Sequence, residues 1–150
     1  MFAPKNILVA TDFSEPAKCV LRYAKEMAAE NKAMIHVVHT VEMIEYPTGL
    51  VYPGMENILN EERAVELSDR ALGTIASELD TEGFSVTTET LRNGDAADGI
   101  SDYAKSHDID LICIATHGRS GLGHFFLGST TERLLRKTYC PVLVVRRKED

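Results

Sequence analysis

The chain has 150 residues, 44% of them apolar and 26% charged, with a net charge of −7. That length suits one domain spanning 1–150 and buries enough surface to fold without disulfides or a structural metal. An acidic balance argues against non-specific binding to DNA or RNA. The three cysteines, Cys19, Cys113 and Cys140, form neither a CxxC pair nor a closed disulfide framework, which points to a reducing compartment. The first residues, Met1 to Asn6, hold no apolar signal core and no run reaches membrane-spanning length. The expected location is cytoplasmic, away from membranes.

Asn6-Ile-Leu-Val-Ala10 is an unbroken apolar run, as expected of a central parallel strand covered on both faces. It ends at Thr11-Asp12-Phe13-Ser14. Ser14 is placed to cap a helix with Glu15 and Pro16 in its first turn. Ala17, Val20, Leu21, Ala24, Met27 and Ala28 form its apolar face, and the helix should stop near Asn31. Ala33 to Val41 is β-branched and reads as the second strand. His36 and His39, three apart, point to opposite faces there, which argues against a shared metal and for two satisfied core or rim histidines.

Glu42 to Asn57, with two prolines, two glycines, Tyr46 and Tyr52, resists assignment. It reads as a binding lid or as a flap packed on its own chain or on a second copy. A helix follows from about Ile58 to Leu79, with Leu67, Ala71, Leu72, Ile75 and Leu79 inward. Gly83 ends the connection, and the Thr-rich Phe84 to Leu91 suits a strand at a sheet edge. Asn93-Gly94-Asp95 turns into a helix carrying Ala96, Ala97, Ile100, Tyr103, Ala104 and His107 on one side. Asp108-Ile-Asp110 starts a fourth strand, which runs on through Leu111–Ala115. A last helix, with Leu134 and Leu135 inward, leads to a closing strand at Cys140–Val145. Alternation of this kind implies an open five-stranded parallel sheet with helices on both faces. The expected strand order is 3-2-1-4-5, with a ligand crevice where the first and fourth strands diverge.

Between the fourth strand and the last helix lie Gly118, Gly121, Gly123 and Gly128, four of the ten glycines of the chain. A strand, a glycine-rich loop and a helix N-terminus together can hold a phosphate. The spacing is neither GxGxxG nor a P-loop, because the P-loop lysine is missing. Backbone amides at Gly128, Ser129 and Thr130, with an arc around Gly118, would carry the binding. Ser129-Thr-Thr-Glu132 also reads as a capping box, in which the serine needs no ligand. A Glu132 facing the crevice would repel a phosphate. Arg133, Arg136, Lys137 and Arg146 to Lys148 read as a positive last helical turn and a solvated tail.

Ile7 to Ser14, Asp110-Leu-Ile with Thr116-His-Gly-Arg119, Leu127-Gly-Ser129 and Pro141 to Val145 together resemble the universal stress protein family over nearly the whole chain. The nucleotide-binding branch of that family carries G-x2-G-x9-G-[ST]. Here Gly118, Gly128 and Ser129 match it, and Ala115 replaces the first glycine. The resemblance implies an adenine nucleotide alpha-hydrolase-like fold and a stress-response regulator that binds ATP or a related adenine nucleotide. Ala10 with Thr40 or Val41 would line the adenine. Asp12 would lie near the ribose and a nucleotide-bound Mg²⁺ or Mn²⁺. Ile114 and Ala115 would lie near the sugar and phosphates. Gly118, Gly128, Ser129, Thr130 and Thr131 would hold the phosphates. The family also dimerises through its last strand, here 141–146, and an apolar edge strand independently calls for pairing. Asp12 can instead cap a turn. His117, Arg119 and His124 are candidates for hydrolysis, but no nucleophile–base constellation accompanies them, so slow or no turnover is expected. A ligand-free dimeric adaptor of the same fold is the alternative, with a slow ATPase as a third reading.

Overall fold

The computed structural model describes residues 1–42, 56–116 and 127–146. Five strands, β1 (Asn6–Ala10), β2 (Met34–Glu42), β3 (Val86–Asn93), β4 (Leu111–Ala115) and β5 (Val142–Val145), alternate with four helices. The helices are α1 (Glu15–Asn31), α2 (Glu56–Thr81), α3 (Ala96–Ser106) and α4 (Ser129–Lys137). The sheet is parallel throughout, in the order β3-β2-β1-β4-β5. Both expectations of class and strand order therefore hold.

Burial follows strand position. β4 is buried at every residue and β1 at all but its first, as unbroken apolar strands at the centre of a parallel sheet must be. β3, at one edge, is mostly half-exposed. On one face Ile7, Val9, Ile35, Val37 and Cys113 pack with Val20 and Ala24 of α1 and Leu72 and Leu79 of α2. On the other, Leu8, Val38, Ile112 and Ile114 pack with Ala97, Ile100 and Ala104 of α3 and Leu134 of α4. Burial pushes the Cys113 thiol up to about 12, so it behaves as a small core residue.

Local chemistry fixes the ends. Ser14 caps α1, its hydroxyl accepting from the Ala17 amide, and Lys32 closes that helix in the left-handed region at φ 52. The Asp110 carboxylate accepts from the backbone amides of Lys5 at 2.7 Å and Asn6 at 2.9 Å. This ties the start of β1 to the approach to β4. Gly83, at φ 91, turns the chain out of α2. Among the described residues no helix is long and apolar enough to cross a membrane.

Several local expectations change. Leu67 and Leu135 are exposed, at 51% and 44%. Each lies one residue from a buried position, Ser68 at 3% and Leu134 at 0%, and one residue turns about 100° around a helix. The third strand starts at Val86 rather than Phe84, because the Phe84 amide still bonds Leu79 O at the end of α2. The last strand starts at Val142, after Pro141, whose carbonyl accepts from Ile112 N at 3.0 Å. The stretch 42–57 is split: Glu42 ends β2, Glu56 and Asn57 open α2, and 43–55, with Tyr46 and Tyr52, lie outside the described residues.

The two histidines of β2 are a core and a rim residue, as expected, but only in part satisfied: His36 Nε2 is buried with no hydrogen-bond partner among the described residues. His36 is buried with Nδ1 3.0 Å from the Tyr103 hydroxyl, and Tyr103 stacks on His107 at 3.8 Å. Burial, and then the charge of His107, lowers the His36 pKa. His39 instead donates from Nδ1 to Thr11 O at 2.8 Å. No cluster of three metal-ligating side chains occurs among the described residues.

Candidate functional site

β1 is hydrogen-bonded to β2 on one side and β4 on the other, so the chain leaves these strands in opposite directions. In open parallel sheets a ligand crevice lies at such a point, beyond the strand carboxyl ends. A cavity of about 620 Å³ lies there. Its wall is built from Ala10 to Phe13 after β1, Val38 to Glu42 of β2, Ile114 and Ala115 of β4, and Gly128 to Thr131 at the start of α4. Ala17 of α1, Ala64, Leu67 and Ser68 of α2, and Ala96 and Ile100 of α3 complete it. Ten of the eleven expected site residues border this one cavity: Ala10, Asp12, Thr40, Val41, Ile114, Ala115, Gly128, Ser129, Thr130 and Thr131. The eleventh, Gly118, lies outside the described residues, as do His117, Arg119 and His124.

The β4–α4 junction is held from both sides. Gly128 N donates to Thr116 O at 2.6 Å, and Thr131 Oγ1 donates to Ala115 O at 2.9 Å. Thr116 N in turn bonds Val145 O at 3.0 Å. Gly128 is the cap residue of α4, and its carbonyl accepts from Glu132 N at 2.9 Å. The Gly128 amide, expected to face a phosphate, is instead taken by Thr116 O, and the amides with no acceptor within the helix are those of Ser129, Thr130 and Thr131. They sit at its positive end, where an anion is favoured.

The capping box does not form. With Gly128 at the cap, Ser129 becomes the first helical residue, and no side chain caps α4. The Glu132 carboxylate pairs with Arg136 at 2.6 Å and does not border the cavity. The objection that it would repel a phosphate therefore lapses. The other basic side chains of α4 are paired as well, Arg133 with Asp95 at 2.7 Å and Lys137 with Asp98. Ala115 stands in β4 without positive φ, so the methyl that replaces a glycine hydrogen there costs no backbone strain.

Asp12 caps a turn and also stands on the cavity wall. Its Oδ1 accepts from Ser14 N at 3.0 Å and from the Ser14 hydroxyl. Phe13, at φ 64, follows with its amide on Thr11 Oγ1 at 3.0 Å. Its ring lies 4.6 Å from that of His39. A hydrated Mg²⁺ needs only one or two carboxylates besides a nucleotide's phosphates, and the cavity wall carries two carboxylate residues, Asp12 and Glu42.

At the other end of the crevice, Thr40 Oγ1 is buried and has no hydrogen-bond partner among the described residues. Thr11, Phe13, His39, Ala64, Leu67 and Ser68 are wall residues that the sequence did not single out. His39 had a readable signal, since it stands near the carboxyl end of a strand beside the switch point. The α2 residues had none, because 43–55 separate them from β2.

Residues 4–146 match the model of the universal stress protein family. The chain is 31% identical over 158 residues to the universal stress protein MJ0577 of Methanocaldococcus jannaschii, covering 97% of each. It superimposes on the solved structure of MJ0577 with a TM-score of 0.85, covering 100% of both chains at 26% identity. The universal stress protein UspA from Lactobacillus plantarum gives a TM-score of 0.80 at 27% identity, covering 95% of this chain and 97% of that one. A universal stress protein from Archaeoglobus fulgidus, solved in complex with dAMP, shares the fold with a TM-score of 0.59 at 24% identity, covering 96% and 98%. With the topology, the crevice and the full-length match in agreement, the chain belongs to the universal stress protein family.

Proposed function

We propose that this protein is a cytoplasmic stress-response regulator that binds ATP or a related adenine nucleotide in the crevice. The observation that carries this reading is the set of three helix-opening amides, Ser129, Thr130 and Thr131, on the wall of a 620 Å³ cavity. Charge-assisted hydrogen bonds to such donors contribute about 1.5–3 kcal/mol each. The cavity runs past β1 to the end of β2, and two strand spacings make about 10 Å. That span matches a nucleotide with its phosphates on α4 and its base near Val41. The dAMP complex of the Archaeoglobus fulgidus protein supports a nucleotide of this class.

Gly118 would add to the phosphate contacts, as the family pattern implies. Asp12 would meet the ribose or a nucleotide-bound divalent ion. The chain holds its nucleotide more readily than it cleaves it, since backbone amides stabilise bound and reacting phosphates alike and only differential stabilisation speeds a reaction. β5, at the sheet edge with Val142, Leu143 and Val144 half-exposed, is the surface through which two copies would pair.

Calorimetry with ATP and Mg²⁺ tests the reading. Micromolar binding that Ser129→Pro weakens supports it. Absence of heat and of thermal stabilisation at millimolar ATP overturns it.

A further inference from the structure

We propose that Ser68 is a specificity-determining residue of the crevice, fixed as a hydrogen-bond acceptor by a relay that runs through Thr90 to Asp69. The inference rests on the nucleotide reading above. Ser68 is 3% exposed and borders the cavity from α2. Its Oγ lies 2.7 Å from Thr90 Oγ1, and Thr90 Oγ1 lies 2.5 Å from Asp69 Oδ1.

The direction of the two bonds follows from proton counting. A carboxylate only accepts, and a threonine hydroxyl has one proton to give. Thr90 therefore donates to Asp69, and its lone pair receives the proton of Ser68. The Ser68 hydroxyl is left with lone pairs alone for anything in the crevice. Thr40 differs, because its Oγ1 has no partner among the described residues and can turn to donate or accept.

Register places the relay beside the crevice. Thr90 pairs with His39 across β2 and β3, and His39 also borders the cavity. Asp69 stands at the exposed outer end of the relay. A phosphate on α4 puts the base toward this end. A base that offers an amino group to Ser68 completes a hydrogen bond there. A base that offers a carbonyl sets two acceptors against each other in a buried position, with no proton between them. The relay therefore selects a 6-aminopurine over a 6-oxopurine without Asp69 or Thr90 touching the ligand.

Calorimetry with ATP and inosine triphosphate, each with Mg²⁺, reads this out, because the two differ in the 6-substituent and in the proton on N1. The wild-type protein should favour ATP by about tenfold. Ser68→Ala should level the two by weakening ATP. Thr90→Val, at a residue that does not border the cavity, should level them by tightening inosine triphosphate, because the freed Ser68 proton turns to its carbonyl. Equal wild-type affinities, or a Thr90→Val protein that keeps the full preference, would overturn the relay and leave nucleotide binding standing. Failure of the wild-type protein to bind either triphosphate would overturn the nucleotide reading itself, and the relay with it.

Discussion

The two ends of the crevice are made of different material. At α4 the donors are backbone amides, carried by whatever side chains occupy Ser129, Thr130 and Thr131. At β2 and α2 the wall is side chain: Val41, Leu67, the hydroxyl of Thr40, unpartnered among the described residues, and the committed hydroxyl of Ser68. On the proposed reading, the first end reads charge and is blind to the rest of a ligand, and the second reads shape and hydrogen-bond polarity. Ordinary substitutions reach the second end directly. They reach the first only by removing an amide or by displacing the helix that aims it.

The largest effect should come from undermining the amide end. Leu134 anchors α4 to the sheet with no exposed surface, so Leu134→Ala should cost about 2–5 kcal/mol in a denaturant titration. Ser129→Pro is cleaner. Proline is favoured at the first helical position, and Gly128 at φ −59 and ψ 148 already has the extended backbone that must precede it. One amide disappears while the helix remains. ATP affinity should fall about tenfold to a hundredfold, whereas Ser129→Ala should change it far less. A smaller effect is expected of Thr131→Val, which removes the bond to Ala115 O and leaves that buried carbonyl short of a partner. Stability should fall by about 1–3 kcal/mol, read as a lower melting temperature without ligand.

The smallest effect concerns pH and lies away from the crevice. The folded protein holds His36 below its ordinary pKa of 6.5, through burial first and the charge of His107 second. Below pH 6.5 the unfolded chain takes up a proton that the folded chain resists, so unfolding gains protons and stability falls with pH. The contribution is complete above pH 6.5 and is lost as pH drops toward the folded-state pKa. A His36→Gln variant should show a flatter dependence between pH 6.5 and 5.

The central strands, the α1 caps and the strand order were legible because each rests on local pattern: unbroken apolar runs, Ser14 before Pro16, alternation of strand and helix. Besides the late starts of β3 at Val86, β4 at Leu111 and β5 at Val142, the errors are one-residue errors on helices. Leu67 and Leu135 are apolar, yet their neighbours Ser68 and Leu134 occupy the buried stripe. The cap of α4 was misread for a related reason. Gly128 and Ser129 both suit a cap, and the bond from Glu132 N to Gly128 O decides between them. The Ser68 relay was not legible at all, because it joins α2 to β3 across 22 positions of sequence.

The most direct test is an amide-resolved nitrogen–proton NMR titration with ATP and Mg²⁺. The account predicts that the Ser129, Thr130 and Thr131 amides move together, with the largest shifts in the protein and one common saturation curve. Saturable ATP binding that leaves those three amides unmoved would contradict it.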